Sequence, residues 1–422
     1  MAKVGKQVRV DINLWILPNL YKLCRTYPFL GVKMKVELSK RIKSLPAYAF
    51  AEIDKKVDEL KKSGAPVIDF GVGDPKEPTS GVIRNYCKRA IDKRKDYGYP
   101  NYVGDIDFRK EIAAYCDDRF RVSLDPEKEI CSTLGSKEAL FNFPEAFVNP
   151  GDYVLIPNPG YPPWERGTLF AEGKPHFMNL TEENNFFPDL SAVPDEVRKK
   201  AKILWLNYPN NPTAQVATKE FYKEAIDFAH DNNIIICSDE AYADNYFEEK
   251  PISILELDRE GIVASHSLSK RSAMTGYRVG WMMGDERIIS AFKKLKTNID
   301  SGTATFIQDA AVAALSDKKH VEEFNTLYKS KRNLICNALK EAGFPDCSPK
   351  ASIYIWQKLK KGMNSLDFAK KLLDKKFSLV VTPGVALSQE VDGVNPGEEY
   401  VRFALVPTIK ECKEAAERIK KL

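Results

Sequence analysis

Three polar segments of the sequence directly follow short apolar runs, and a fourth lies a few residues further on. These segments are Asn207–Thr213 (NYPNNPT), Ser238–Tyr242 (SDEAY), Ser265–Lys270 (SHSLSK) and Gly276–Gly280 (GYRVG). Any one of them could be ordinary turn or helix-capping chemistry. If the apolar runs are parallel strands, however, the segments meet beyond the carboxyl ends of one sheet, where ligands bind in folds of this kind. Together they predict one ligand-binding crevice.

Lys270 and Asp239 are the two residues of these segments with the most distinctive chemistry. Lys270 lies at a predicted strand end among serines and apolar residues. Because desolvation lowers the pKa of an amine, a lysine in this position is suited to form a Schiff base. Asp239, at a neighbouring strand end, can keep a pyridine nitrogen protonated and so make the ring an electron sink.

A phosphate cradle and an aromatic ring complete the set. Ser132–Ser136 (STLGS) leads into a predicted helix, whose first backbone N–H groups can bind phosphate. Arg278 can add a charge-assisted contact to the same phosphate, and Tyr161 can lie on a flat ring. Lysine, carboxylate, cradle and ring together describe a site for pyridoxal 5′-phosphate (PLP). A surface lysine with unrelated solvated loops would leave their joint occurrence unexplained.

The elements that must position these residues alternate between short apolar runs and amphipathic helical stretches from about residue 74 to 290. The runs include Tyr153–Ile156, Ile203–Leu206, Ile234–Cys237, Ile262–Ala264 and Val279–Met283, and Lys219–Asn232 is one of the helical stretches. This alternation is typical of a mostly parallel sheet covered by helices. The expected fold class is therefore α/β.

A second, smaller α+β lobe is predicted after Phe306. The pattern there predicts a helical region to about residue 342, strands at Ser352–Trp356 and Tyr400–Leu405, and helices near Ser365–Lys375 and at the C-terminus. A chain of 422 residues also exceeds the usual domain of about 150 residues. We expect an N-terminal extension at 1–37, a large domain at 74–314, and a small domain formed by 38–73 (with a helix at Leu45–Leu60) and 315–422.

Composition excludes several other classes of protein. A hydrophobic fraction of 43% is enough for a large core and argues against a disordered chain. The net charge of +5 is small and spread over both signs, so no nucleic-acid partner is expected. No apolar run approaches the roughly 20 residues that span a bilayer, and Asp11, Asn13 and Pro18 interrupt any N-terminal signal segment. We expect a cytoplasmic protein without membrane contact.

Cysteine and histidine spacing predicts no metal site. The eight cysteines include no CxxC pair, and the four histidines form no HExxH or HxH pattern. Reduced core thiols are the expected state of the cysteines.

With these motifs in place, the sequence resembles the class I/II aminotransferases of the aspartate aminotransferase superfamily, fold type I, over roughly residues 38–422. Ser267–Lys270 with Gly276–Gly280 matches the family's lysine motif, while Asn211-Pro-Thr and Asp239-Glu-Ala-Tyr242 match its two cofactor motifs. The resemblance implies a large PLP-binding domain with a mostly parallel, seven-stranded type of sheet, a smaller α+β domain, and a homodimer with shared active sites.

The resemblance also implies a role for each matching residue. Lys270 would be the Schiff-base lysine and general acid/base, Asp239 the partner of the pyridine nitrogen, and Tyr161 the ring that stacks on the cofactor. The 3′-oxygen would be bound by Asn211 and Tyr242, and the phosphate by Gly135, Ser136, Lys137, Ser267, Arg278 and Tyr99, the last reaching the neighbouring subunit. The substrate carboxylate would be bound by Arg402 beside Gly73 and Asn211. Two positions depart from the pattern, because Ala214 and Ala351 stand where the family usually has glycine, and adjusted turns are expected there.

Several stretches are most similar to LL-diaminopimelate aminotransferases, among them Gly135–Leu140 and Trp205–Thr213, while His266–Ser272 also resembles N-succinyldiaminopimelate aminotransferases. The resemblance implies a transaminase that moves an amino group from an amino acid, LL-diaminopimelate in lysine biosynthesis, to a 2-oxo acid such as 2-oxoglutarate. Aspartate, alanine, aromatic or N-succinyldiaminopimelate aminotransferases remain alternatives. A fold type I β-lyase, which would release pyruvate and ammonia, or a non-catalytic binding module also stays open, although a binding module has no chemical need for Lys270, Asp239 and Arg402 together.

Overall fold

The computed structural model describes residues 36–45 and 51–422, so the predicted N-terminal extension lies outside the described residues except for Val36 and Glu37. These residues belong to two units, one ending at Leu45 and the other beginning at Pro46. The described part of the first, residues 36–45, contains one short helix, Lys40–Ser44, whose N-terminus is capped by the side chain of Ser39. Of the helix predicted at Leu45–Leu60, the part at 46–50 lies outside the described residues.

The strands, numbered along the chain, are β1 (Ile68–Asp69), β2 (Ile130–Thr133), β3 (Tyr153–Asn158), β4 (Lys174–Asn179), β5 (Ala201–Asn207), β6 (Ile235–Asp239), β7 (Ile262–Ser267), β8 (Gly280–Gly284), β9 (Tyr354–Lys358), β10 (Leu379–Val380), β11 (Thr382–Pro383) and β12 (Tyr400–Ala404).

The α-helices are α1 (Lys40–Ser44), α2 (Ala51–Lys62), α3 (Gly81–Lys93), α4 (Ile106–Phe120), α5 (Ser136–Asn142), α6 (Pro162–Phe170), α7 (Asp195–Arg198), α8 (Lys219–Asp231), α9 (Leu268–Arg271), α10 (Glu286–Lys296), α11 (Thr305–Ser316), α12 (Lys319–Glu341), α13 (Ser365–Leu372) and α14 (Ile409–Ile419).

A seven-stranded sheet in the order β2-β8-β7-β6-β5-β3-β4 forms the centre of the second unit. The strands β4, β3, β5, β6 and β7 pair in parallel, whereas β8 runs antiparallel to both of its neighbours. Alternate residues of β5 belong to different apolar clusters, Leu204 and Leu206 to one and Ile203 and Trp205 to the other. The sheet is therefore covered on both faces, and the predicted α/β class with a mostly parallel sheet is confirmed.

A separate antiparallel sheet, β11-β12-β9, lies in the C-terminal part of the chain, and a short parallel pair joins β1 to β10. The strands of the antiparallel sheet contribute Ile355, Val401 and Phe403 to an apolar cluster of their own. The proposed boundaries of a large and a small domain remain a prediction, but the two sheets and their cores are distinct.

The helical region predicted from Phe306 to about residue 342 is present and consists of two helices, α11 and α12. Asp317 leaves the helical conformation at the end of α11, with φ −89° and ψ 104°. Its side chain accepts the backbone N–H of Lys319 at 3.0 Å. A short acidic side chain that bonds nearby backbone competes with helix continuation, which explains the break.

Candidate active site

One cavity of about 790 Å³ lies beyond the carboxyl ends of β3, β5, β6 and β7. Eleven of the thirteen residues that the sequence singled out line it. They are Gly73, Ser136, Lys137, Tyr161, Asn211, Asp239, Tyr242, Ser267, Lys270, Arg278 and Arg402. The parallel strands bring these residues together because each strand ends at the same edge of the sheet.

Lys270 lies on α9, a single helical turn that follows β7 directly. Its Nζ donates to the carbonyl oxygen of Gly73, and burial lowers the pKa of the amine below its ordinary value. The start of α9 is fixed by Ser267, whose hydroxyl accepts the N–H of Ser269 at 3.2 Å and donates to the Ser269 hydroxyl at 3.0 Å. A lysine with a lowered pKa offers an unprotonated amine nearer to neutral pH, as nucleophilic or base chemistry requires.

Asp239 ends β6 and is 4% exposed. Burial raises the pKa of its carboxyl to about 7, although the Ala241 N–H, donated at 3.2 Å, works in the opposite direction. No cation in the described part of the chain pairs with Asp239. The next residue, Glu240, is satisfied by other groups, since its carboxylate accepts the Ile254 N–H and lies 3.1 Å from Nε2 of His266. Asp239 is thus a buried acid with no partner of opposite charge.

The loop before α5 approaches Arg278 closely. Gly135 has φ +75°, and a Cβ there would lie 2.6 Å from the Arg278 guanidinium. The guanidinium is held by the Leu134 carbonyl at 3.1 Å. Ser136 and Lys137 begin the helix, where backbone N–H groups have no helical partner. Gly135 does not line the cavity itself, but only a residue without a side chain leaves room for the guanidinium beside the loop.

Arg402 extends from β12 into the cavity and is 8% exposed. Its guanidinium donates to Oδ1 of Asn211 at 2.9 Å, to the Gly71 carbonyl at 2.7 Å and to the Thr382 hydroxyl at 3.3 Å. The guanidinium also lies 4.5 Å from the centre of the Tyr354 ring. Its buried Nε has no acceptor, and no described carboxylate forms an ion pair with it. Arg402 is therefore a positioned cation that can accept an anionic ligand.

Asn211 is oriented by a network of other asparagines. Its N–H donates to Oδ1 of Asn207 at 2.7 Å, and Asn210 accepts the Ala214 N–H at 2.9 Å. Because Arg402 occupies Oδ1 of Asn211, its Nδ2 remains the atom that can donate to a ligand. Ala214, where the family usually has glycine, adopts φ +60°, the conformation that glycine favours.

Ala351 is the second departure from the family pattern. Here the residue that follows it, rather than Ala351 itself, has a left-handed backbone conformation. Ser352 has φ +73°, while Ala351 forms a bridge to Tyr246.

Two tyrosines join the turn after β6, which carries Tyr242, to the three-stranded sheet, which carries Tyr354. The hydroxyls of Tyr242 and Tyr354 are 3.0 Å apart, and burial raises the pKa of Tyr242 well above its ordinary value. A Cβ at Gly73 would collide with the Tyr354 hydroxyl, which explains glycine at that position. Tyr161, just after β3, is also buried enough that its pKa is raised. Tyr161 and Tyr242 therefore remain protonated hydrogen-bond donors at neutral pH.

Tyr99 does not line the cavity. It is 87% exposed, and Tyr97 and Tyr102 nearby are 60% and 43% exposed. Its expected contact with a neighbouring subunit stays a prediction.

Sequence reasoning missed Tyr354, Thr382 and Gly71 as site residues, although all three line the cavity. Gly71 lies two residues before Gly73, so the glycine-rich pattern was a usable signal. Tyr354 and Thr382 follow ordinary strand composition, and nothing in their spacing distinguishes them from core residues.

The residues present fit PLP. The unpaired buried acid Asp239 can pair with a pyridinium nitrogen, Lys270 can bind an aldehyde, and the Gly135–Arg278 pair suits a phosphate. Arg402 with its free Nε suits a substrate carboxylate. Across residues 36–45 and 51–422, no group of three His, Cys, Asp or Glu side chains could hold a metal ion. The seven cysteines described there are free, and none of the helices described is long and apolar enough to cross a membrane.

Comparison with known proteins agrees with this geometry. A sequence model of the family "Aminotransferase class I and II" matches residues 65–419. The chain is 43% identical over 390 residues to an LL-diaminopimelate aminotransferase of Aquifex aeolicus, covering 92% of this chain and 99% of the relative. It is 41% identical to the enzyme of the same name from Halothermothrix orenii, covering 91% and 98%.

Among solved structures, apo-BacF from Bacillus subtilis superposes with a TM-score of 0.85 at 34% identity, covering 92% of this chain and 98% of BacF. The family match and the relatives extend over nearly the whole described chain. The chain therefore belongs to the class I and II aminotransferases and is a PLP-dependent transaminase.

Proposed function

We propose that the cavity binds PLP and that each matching residue has the role that the family resemblance implies. Asp239 pairs with the pyridine nitrogen, Tyr161 lies on the ring, and Asn211 and Tyr242 donate to the 3′-oxygen. The phosphate is bound by Gly135, Ser136, Lys137, Ser267 and Arg278, together with Tyr99 of a neighbouring subunit in a homodimer. The observation that carries this proposal is the buried, unpaired Asp239, which faces the same cavity as Lys270 and Arg402.

When bound, PLP supplies an electron-poor ring that stabilises negative charge at the substrate Cα. Lys270 then acts as general acid and base, and its Nζ carries the proton that leaves this carbon. The lowered pKa of Lys270 favours the unprotonated amine that must accept this proton. Arg402 binds the substrate α-carboxylate beside Gly73, and its bond to Asn211 fixes the orientation of both side chains.

We further propose that the amino donor is LL-diaminopimelate and that the acceptor is a 2-oxo acid such as 2-oxoglutarate, which places the enzyme in lysine biosynthesis. Support comes from the two LL-diaminopimelate aminotransferases above, which are about 40% identical over nearly their full length. We expect the enzyme to act in the cytoplasm as a homodimer.

The test is a panel of amino donors with 2-oxoglutarate. The panel contains LL-diaminopimelate, N-succinyl-LL-diaminopimelate, aspartate, alanine and phenylalanine, with glutamate formation as the assay. We expect the highest kcat/KM for LL-diaminopimelate. A higher value for any other donor would overturn the substrate, and pyruvate with ammonia but no glutamate would indicate a β-lyase. Borohydride reduction followed by peptide mapping should find the cofactor attached to Lys270.

A further inference from the structure

Arg271, the residue after Lys270, points away from the cavity into a buried polar cluster. It is 5% exposed, and its guanidinium donates to Asp244 at 2.7 Å, to the Ala314 carbonyl at 2.7 Å and to the Ser272 hydroxyl at 3.2 Å. These contacts attach the end of α9 to the turn after β6 and to α11. A one-turn helix has little stability of its own, so its position depends on such contacts.

Asp244 is the centre of the cluster. Its carboxylate accepts from Arg271, from Nε of Arg119 at 2.9 Å and from the Tyr115 hydroxyl at 2.9 Å. Burial alone would raise the pKa of Asp244, but Arg271 and Arg119 outweigh it and hold the pKa at about 2. The carboxylate is therefore charged, and both arginines have a permanent partner.

The turn that carries Asp244 also carries the cofactor-facing residues. It begins at Asp239, includes Tyr242, and ends at Asn245, whose Nδ2 donates to the Lys270 carbonyl at 3.4 Å. The same turn therefore contacts the Lys270 backbone directly and reaches it a second time through Arg271.

We propose that Asp244 and Arg271 are positioning residues, which set the location of the Lys270 amine relative to the Asp239 carboxylate. The inference rests on the proposed function, because it concerns the reach of Lys270 to bound PLP. Neither residue lines the cavity, so both act through the turn and through α9. This gives a role to Arg271 and Ser272, which follow the lysine in the motif His266–Ser272.

Arg119 offers a matched control. It pairs with the same carboxylate and is 10% exposed at its side chain, against 6% for Arg271. Its other donations go to the carbonyls of Ala243 and Pro251 rather than to α9 or α11. Arg119→Met and Arg271→Met therefore each remove one cation from Asp244, but only the second releases the lysine helix.

The experiment compares these two variants with wild type in urea unfolding, in the rate at which stripped enzyme takes up added PLP, and in kcat and KM. Both variants should lose stability to a similar extent. Only Arg271→Met should slow PLP uptake and lower kcat, by about 10- to 100-fold with KM within about threefold, as expected for a misplaced catalytic group. Arg271→Lys should recover part of the loss, because an ammonium can reach Asp244 but cannot also hold Ala314.

Equal losses of kcat in both methionine variants would show that the cluster only supports folding and would overturn the inference. Wild-type uptake and kcat in Arg271→Met would overturn it as well. If that variant does not fold, Arg271→Lys is compared with Arg119→Lys, and only the former should lose activity.

Failure of the proposed function is recognised separately, because stripped wild type would then take up no PLP. Acylation of Lys270 in the stripped variants, followed by mass spectrometry, still reports its position without cofactor, and equal acylation rates in Arg271→Met and Arg119→Met would contradict the inference.

Discussion

Cofactor-free enzyme carrying Asp239→Asn should be more stable than cofactor-free wild type at alkaline pH. Burial raises the pKa of Asp239 from its ordinary 3.8 to about 7. Between these values the folded protein holds a proton that the unfolded chain has released, so the free energy of unfolding of wild type falls as the pH rises. Each pH unit in this window corresponds to about 1.4 kcal/mol, so the ionised carboxylate destabilises the folded state by about 4 kcal/mol above pH 7. An asparagine of the same shape carries no charge and avoids this loss.

The measurement is urea unfolding of both stripped proteins at pH 5 and pH 8, at one protein concentration. The stability of the variant relative to wild type should increase by about 3 kcal/mol from the lower to the higher pH, since other titrating groups cancel in the difference. Glu240→Gln is the matched control. This neighbouring carboxylate is also buried, but it accepts from Ser238, Ile254 and His266. Its replacement should cost about 1–3 kcal/mol rather than add stability.

Added PLP should change the pH dependence of wild type alone. A protonated pyridine nitrogen beside Asp239 lowers the pKa of the carboxyl, so saturating PLP should remove most of the fall in stability between pH 5 and pH 8. A stability difference that is equal at the two pH values would refute the reasoning about burial. A pH dependence of wild type that PLP leaves unchanged would refute the pairing of Asp239 with the ring nitrogen.

Three further perturbations test the phosphate, substrate and subunit contacts. Arg402→Lys should raise KM for the amino acid about 10- to 150-fold, because the substrate carboxylate loses one of two charge-assisted hydrogen bonds, worth about 1.5–3 kcal/mol. A diamine without a carboxylate should react equally with both proteins, and an equal loss with the diamine would count against carboxylate binding by Arg402. Gly135→Ala should weaken PLP affinity, measured by equilibrium titration, at least about tenfold by displacing the Arg278 guanidinium beside it. Gly64→Ala is the control, because Gly64 has the same φ of +75° but its added Cβ would have no described atom within 4 Å, and it should leave the affinity unchanged. Tyr99→Ala and Lys270→Ala subunits are each expected to be inactive. When they are mixed and exchange partners, about a quarter of wild-type activity should return if a twofold dimer shares its sites. No recovery despite proven exchange would exclude shared sites.

The sequence predicted that Asp239, Ser267 and Lys270 lie around one cavity, because the end of each strand can be recognised from the residues next to it. Each residue follows an apolar run, and parallel strands end at one edge. The contacts of Arg402 could not be predicted in the same way. Its guanidinium donates hydrogen bonds to Asn211, 191 residues away, and to Gly71, 331 residues away. A single sequence does not show which residues so far apart come into contact.

The sequence also did not predict which charged side chains are buried. Lys331 lies on the amphipathic helix α12, where a lysine is expected on the solvated face, but its side chain is fully buried and pairs with Glu77. Lys296 is equally buried between Glu138 and Asp300. Asp300 lies only four residues after Lys296, but Glu77 and Glu138 come from distant segments. Burial of a charge becomes favourable only once such partners are in place.

The turn after β6 shows why the site depends on more than the residues that line it. Successive side chains in this turn point to different neighbours, since Asp239 faces the cavity, Glu240 meets His266 and Tyr242 meets Tyr354 of the three-stranded sheet. Asp244 then holds Arg271, the residue after Lys270. Because these contacts leave from one short segment, together they fix the position of the carboxylate that we propose to meet the cofactor. The fixed geometry of Asp239 and Lys270 is therefore a property of the turn as a whole, and charged residues outside the cavity contribute to it.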